Sequence, residues 1–185
     1  MVESLDLFRM AKFFHTDMAT VAERYTEAVL LDWGVPVLML KTVSPDDACI
    51  FLRDNLCSIQ SGAKPRACRL YPLSVGPDEK LKDFLIFNVS GKHQHHFTGR
   101  QYRAQDWVDA HFGSVDQAYI RTEYKAMREC GFILRQIPRE RENDVMFQML
   151  RWRYIEYDKN RTFMTQFKRN MEILKQELKR IKGGH

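Results

Sequence analysis

Three cysteines crowd the stretch CIFLRDNLCSIQSGAKPRACRLYPL: Cys49, Cys57 and Cys68, spaced C-x7-C-x10-C. Thiolates are soft ligands, so such a set suits Zn²⁺, an iron–sulfur cluster or Cu(I) rather than a hard cation. Structural zinc and iron–sulfur sites take about four ligands, which leaves three thiols one short. The spacing also differs from the short pairs, roughly two to four residues apart, of a zinc-finger knuckle. Two readings therefore stand side by side: metal ligands, or small apolar thiols of a core.

Further donors are few. Cys130 falls near the end of a helical segment and reads as a core thiol first and a ligand second. His93, His95 and His96 occupy the glycine-bounded loop GKHQHHFTG. Imidazole is a good ligand for zinc or iron, though a histidine cluster in a loop also reads as plain polar surface. Other chemistries lack their motifs. The SGK tripeptide has no complete phosphate loop around it, and there is no G-x-S-x-G, H-E-x-x-H or G-x-G-x-x-G.

The elements that must position these residues can be read from periodicity and turn chemistry. SLDLFRMAKFFH has the apolar stripe of a helix, with Ser4 as its N-cap. TDMATVAERYTEAVLLDWG reads as a second helix, capped by Thr16 or Asp17 and ended by Gly34. VPVLMLKT is a short strand, and CIFLRDNLCSI a hairpin about Asp54-Asn55 with Cys49 and Cys57 on its two arms. SGAKPRACRLYP is a loop entering at most one helical turn, VGPDEK a turn, and LKDFLIFNV the best strand in the chain. Four helices follow. RAQDWVDAHFG is amphipathic, SVDQAYIRTEYKAMRECG runs from Ser114 to a terminating Gly131, and ENDVMFQMLRWRYIEYDKN precedes the last. In that last helix Phe163, Phe167, Ile173 or Leu174, Leu178 and Ile181 recur every three to four residues. The fold class is α+β, predominantly helical, with a small irregular β and loop centre carrying the cysteines among helices.

A chain of 185 residues fits one domain with a helical appendage, here 1–138 for the cysteine-bearing part and 139–185 for a basic helical pair. The net charge of +5 belongs to that pair: Arg139 to Lys182 holds 12 Lys+Arg and 7 Asp+Glu, and the rest balances. Such a surplus suits an acidic protein or a nucleic acid, although alternating signs are also the mark of an ordinary solvated face. Trp152, Tyr154, Tyr157, Phe163 and Phe167 recur at helical spacing and read as core rather than as a platform for bases. No apolar run is long enough to span a membrane and the start lacks a secretory pattern, so a cytoplasmic protein with reduced thiols is expected.

The cysteine segment resembles the bacterial cysteine-cluster proteins of the YkgJ type, described as zinc- or iron-chelating domains. Their pattern of C-x-FL, a variable turn, C-x-I-Y, then RP-x-x-CR-x-YP is matched by Cys49, Phe51, Leu52, Cys57, Ile59, Pro65, Cys68, Arg69, Tyr71 and Pro72. Gln60 stands where tyrosine is usual and Lys64 where arginine is usual. The similarity covers about residues 4–130. The family's N-terminal C-x-x-C-x-x-x-CC-like group would fall before Met1, which implies a truncated or mis-assigned start. A family cysteine near Val89-Ser90-Gly91 is also absent, with His93, His95 and His96 close by, which implies a divergent member or one that has exchanged a thiolate for an imidazole. The resemblance implies a zinc- or iron-binding protein, iron–sulfur included, with Arg69 and Tyr71 supporting the thiol ligands. Arg69 would donate to cluster sulfurs. A more distant similarity to flagellin lysine methylases implies an Fe–S-dependent modifying enzyme as a third reading, after the metal module and a metal-free interaction module.

Overall fold

The computed structural model describes residues 1–43, 45–88 and 101–184. Helices make up 54% of it, and its sheets are small, two-stranded and antiparallel, an α+β arrangement. Helix α1 spans Ser4–Phe13. Its cap is Glu3 rather than Ser4: the Glu3 carboxylate accepts from the backbone of Asp6, and the Asp6 carboxylate accepts from Glu3 N at 3.2 Å. Ser4 is used elsewhere, its hydroxyl donating to the Arg153 carbonyl at 2.6 Å.

Helix α2, Met18–Tyr25, opens as expected on Asp17, which accepts from Thr20 N at 2.7 Å. It does not continue to Gly34. Thr26–Leu31 is strand β1, paired antiparallel with β2, Val35–Leu40, from Thr26↔Leu40 to Leu31↔Val35. The run TEAVLL fits either period locally, and the pairing with VPVLML decides for the strand. The turn between them carries Trp33 and Gly34 at positive φ, 65° and 68°. A Cβ on Gly34 would fall 2.5 Å from the Glu142 carbonyl oxygen, so close approach and backbone conformation both require glycine. Among the described residues β1 is an edge strand, while β2 is bridged on its other side by Val2, whose N donates to Leu38 O at 2.7 Å.

Short hairpins follow. Strand β3, Thr42–Val43, pairs with β4, Ala48–Cys49, and β5, Leu52–Arg53, pairs with β6, Leu56–Cys57. Helix α3 is Arg66–Leu70, and a cis peptide joins Tyr71 to Pro72. Strand β7, Leu73–Pro77, takes in the Val75-Gly76-Pro77 segment expected as a turn and pairs with β8, Phe84–Asn88. Then come α4, Ala104–His111; α5, Ser114–Leu134; α6, Glu142–Met149, extended by a wider turn over Leu150–Ile155; and α7, Phe163–Lys182. Gly131 lies inside α5 and does not end it.

Helices α5 and α7 run parallel. Tyr119 meets Phe163 and Phe167 with ring centroids 5.7 and 5.0 Å apart, and ten residues further on Glu129 meets Lys175. The α7 stripe of Phe163, Phe167, Leu174, Leu178 and Ile181 is buried, and of the pair Ile173/Leu174 it is Leu174 that faces in. Tyr154 and Tyr157 are buried too. One apolar core takes residues from both sides of position 138.

Charged groups also cross the interior. The Arg66 guanidinium clasps Glu3 through Nε–Oε2 at 2.8 Å and Nη2–Oε1 at 2.6 Å, and donates to Val75 O at 3.0 Å. Arg66 N donates to Asp6 at 2.9 Å. Arg153 holds Glu123 with both Nε and Nη2 donating to the one oxygen Oε1, at 3.0 and 2.6 Å. Removing one member of a buried pair strands the other charge at a cost of about 3–5 kcal/mol. Arg66→Met is therefore expected to lower the unfolding free energy by about that much in a urea titration, with Arg66→Met/Glu3→Gln recovering part of the loss.

Burial, and then the neighbouring Glu3 carboxylate, push the Asp6 pKa up to about 7, against the backbone N–H groups of Arg66 and Glu3. A carboxyl raised above its unfolded value binds its proton more tightly in the folded chain. Its contribution is complete below the usual carboxylate range and is lost as the pH rises to about 7. Asp6→Asn removes this loss. The stability difference between wild type and variant, followed by urea midpoints from about pH 4 to 8, is expected to slope in that direction and level off at the top.

Candidate functional site

The three clustered cysteines come from three different elements. Cys49 ends β4, opposite Thr42; Cys57 ends β6, opposite Leu52; Cys68 sits mid-way along α3. Cys49 and Cys57 are thus not the two arms of one hairpin. The hairpin about Asp54-Asn55 exists, with both turn residues at positive φ (47° and 61°), but its arms are only Leu52–Arg53 and Leu56–Cys57. Cys49 belongs to the preceding hairpin, because Ile50 N donates back to Lys41 O and fixes that register.

The three residues nevertheless line one small cavity of about 180 Å³, walled by Leu40, Phe51, Ile59 and Pro65, with Lys64 at its edge. Phe51 is held by Tyr25 and Phe14, ring centroids 4.9 and 6.0 Å away, so the wall is anchored to α2 and the end of α1. Ser58 ties the hairpin to Phe51 O through its N–H at 2.9 Å and its hydroxyl at 3.0 Å. Among the described residues no carboxylate or imidazole lines the cavity.

Cys49 and Cys57 are half-buried and Cys68 is exposed as a residue, yet the Cys68 thiol is partly desolvated. That desolvation is the largest influence on its pKa and pushes it up. The ammonium of Met1 and then Lys64 favour its thiolate, while Cys49 opposes it. The first residue of the chain thus lies within electrostatic reach of Cys68.

On the loop that borders the cavity, Lys64 Nζ donates to Gln60 Oε1 at 2.8 Å.

Arg69 is turned away from the sulfurs. Its Nε donates to Lys64 O at 3.1 Å, Nη1 to His111 O at 2.8 Å and Nη2 to Asp116 at 2.8 Å. Asp116 also accepts from Arg9 at 2.7 and 3.0 Å. Burial would raise the Asp116 pKa, but the hydrogen bonds and charges of Arg9 and Arg69 outweigh it and hold the carboxyl below its usual range. Arg69 thus fixes the loop wall at Lys64 instead of reaching the thiols. Tyr71 enters through its cis bond to Pro72, at the end of α3.

Cys130 does not line this cavity. It is fully buried on α5, where desolvation pushes its thiol up to about 11. His93, His95 and His96 lie outside the described residues. Among the described residues no three His, Cys, Asp or Glu side chains are arranged to hold a metal ion, and no helix is long and apolar enough to cross a membrane. The donor chemistry of the cavity fits a soft metal; the present placement of its donors is not yet a coordination sphere.

The residues that position the site were not singled out in the sequence. Glu3 and Asp6 hold α3 through Arg66, and the signal for them was faint: acidic residues three apart at a helix start. Compared with known protein families, curated proteins and solved structures, the chain matches none.

Burial sorts the thiols. Ellman's reagent is expected to titrate Cys49, Cys57 and Cys68 in the native protein and Cys130 only on unfolding. Cys130→Ala should leave the native count unchanged; a native count that falls by one would show that Cys130 is accessible.

Proposed function

We propose that the chain is a metal-binding module of the cysteine-cluster type, in which thiolates of Cys49, Cys57 and Cys68 take zinc or iron, iron–sulfur clusters included. The observation that supports this reading is that Cys49, Cys57 and Cys68, from β4, β6 and α3, all line one small apolar cavity on which no carboxylate borders among the described residues. Soft sulfur without hard competitors selects borderline and soft metals. Free thiols also suit a reducing compartment such as the cytoplasm.

The group, once bound, supplies a cross-link: it ties two hairpins to a five-residue helix that could not stand alone. The protein's part is to hold Cys68 on α3 through Arg66, and the Lys64 wall through Arg69. Lys64 and the Met1 ammonium favour the Cys68 thiolate that a metal requires. Because the desolvated Cys68 thiol must lose its proton, metal affinity rises with pH.

The test is elemental analysis of protein purified without oxygen, before and after reconstitution with Zn²⁺ or with iron and sulfide. Stoichiometric metal is expected, with native-state protection of the three thiols from Ellman's reagent and loss of metal in Cys49→Ser, Cys57→Ser and Cys68→Ser. Metal-free protein after both reconstitutions, carrying three reactive thiols, would sink the reading.

A further inference from the structure

Helix α5 looks electrically neutral in sequence, with Arg121, Lys125 and Arg128 against Asp116, Glu123 and Glu129. The fold unbalances it. Asp116 is taken by Arg9 and Arg69, Glu123 by the buried Arg153, and Glu129 by Lys175, all from other parts of the chain. The three cations have no such partners among the described residues. Arg121 and Arg128 donate only to backbone carbonyls, those of Leu81, Lys82 and Glu79. Arg135 follows at the C-terminal end of the helix.

Exposed aromatic rings alternate with these cations. Tyr124 is 40% and Phe132 60% exposed. The Arg128 guanidinium lies 6.0 Å from the Tyr124 ring centroid, and that of Arg135 lies 5.7 Å from the Phe132 ring. Tyr124, Met127, Arg128, Gly131, Phe132 and Arg135 frame a surface recess of about 480 Å³. Gly131 sits in its floor. Glycine inside a helix costs about 1 kcal/mol against alanine. Nothing among the described residues requires it, since a Cβ there would meet open space. The missing side chain leaves the helix backbone bare between two rings. On the neighbouring stripe of α5, Arg121 and Lys125 face Lys168 and Arg169 of α7 across an open groove of about 560 Å³. The two carboxylates of that groove, Glu129 and Glu172, are both bound to Lys175.

We propose that this face of α5, with the adjoining edge of α7, binds single-stranded nucleic acid: bases stack on Tyr124 and Phe132 over the Gly131 notch, and the cations follow the phosphate backbone. Stacking on exposed rings beside a cationic track is how single strands are held without reading sequence. A purely acidic peptide would use the cations but leave the rings and the notch without a role. A duplex keeps its bases stacked on one another and offers them no face. The proposal is independent of the thiol cavity, which lies on other elements.

The test is fluorescence anisotropy with the full chain and labelled oligouridylate and oligothymidylate of about 12 nucleotides, a length that covers the roughly 30 Å of α5. Binding of either is expected, and comparing the two separates RNA from DNA as the source. Contacts from three or four cations predict affinity about twentyfold or more weaker on going from about 50 to 200 mM salt. Phe132→Ala is expected to weaken binding about tenfold. Arg128→Glu/Arg135→Glu should weaken it further and flatten the salt dependence, with circular dichroism unchanged in both because the residues are exposed. The proposal is overturned if neither oligonucleotide binds. It is equally overturned if Phe132→Ala and Tyr124→Ala leave binding unaltered, or if polyglutamate or a duplex of equal length binds as tightly.

Discussion

Arg66 holds the cysteine-bearing centre to the rest of the molecule. It heads a helix of only five residues, far too short to be stable by itself. Its backbone N–H is received by Asp6 and its guanidinium by Glu3, so the α3 start is capped by the start of α1, sixty residues away in sequence. The same two carboxylates cap α1. One cluster of charges thus begins two helices at once, and the geometry of Cys68 follows from it. Arg69 repeats the device at the other end of α3, joining it through Asp116 to α5 and through His111 O to α4.

The second consequence of this architecture is electrostatic. Arginines from distant segments reach into the interior to neutralise acids of α5, and the helix surface they leave behind carries only its own cations. Net charge along a sequence and net charge on a surface are different quantities wherever ion pairs are non-local. The C-terminal surplus of positive charge illustrates the converse. Arg153 is buried against Glu123 and Lys175 reaches Glu129, so two acids of α5 draw on that surplus, whereas Arg139, Arg141, Arg151, Arg161 and Arg180 pair with acids of their own segment that the net charge already counts.

Local signals were enough for much of the fold. The apolar stripe of α7, the hairpin turn at Asp54-Asn55, the Asp17 cap and the strand at Phe84–Asn88 each depend on residues a few positions apart. What could not be read depends on partners far away. Thr26–Leu31 becomes a strand because Val35–Leu40 is there to pair with it. Cys49 leaves the hairpin of Cys57 because Lys41 and Thr42 claim its register. Gly131 looked like a helix stop, yet the i→i+4 ladder runs through it to Leu134. For the site, the sequence crowding of Cys49, Cys57 and Cys68 was legible; the fold puts all three on the lining of one cavity without arranging them as a metal-holding group among the described residues. The direction of Arg69 was not, because Asp116 and His111 arrive from elements more than forty residues later.

Strand β1 carries a consequence of another sort. Its outer edge is open among the described residues, and Val29, Leu30 and Leu31 are 44, 54 and 54% exposed. An uncharged run on an open edge invites a second copy to add its own strand. The antiparallel alignment that matches the most apolar residues, Val29 against Leu30 and Ala28 against Leu31, also sets Glu27 of each copy against Asp32 of the other. Two like-charged contacts then oppose the association that the aliphatic side chains favour. These flanking acids guard the edge; replacing them with neutral residues would remove the guard and leave the strand free to seed aggregation.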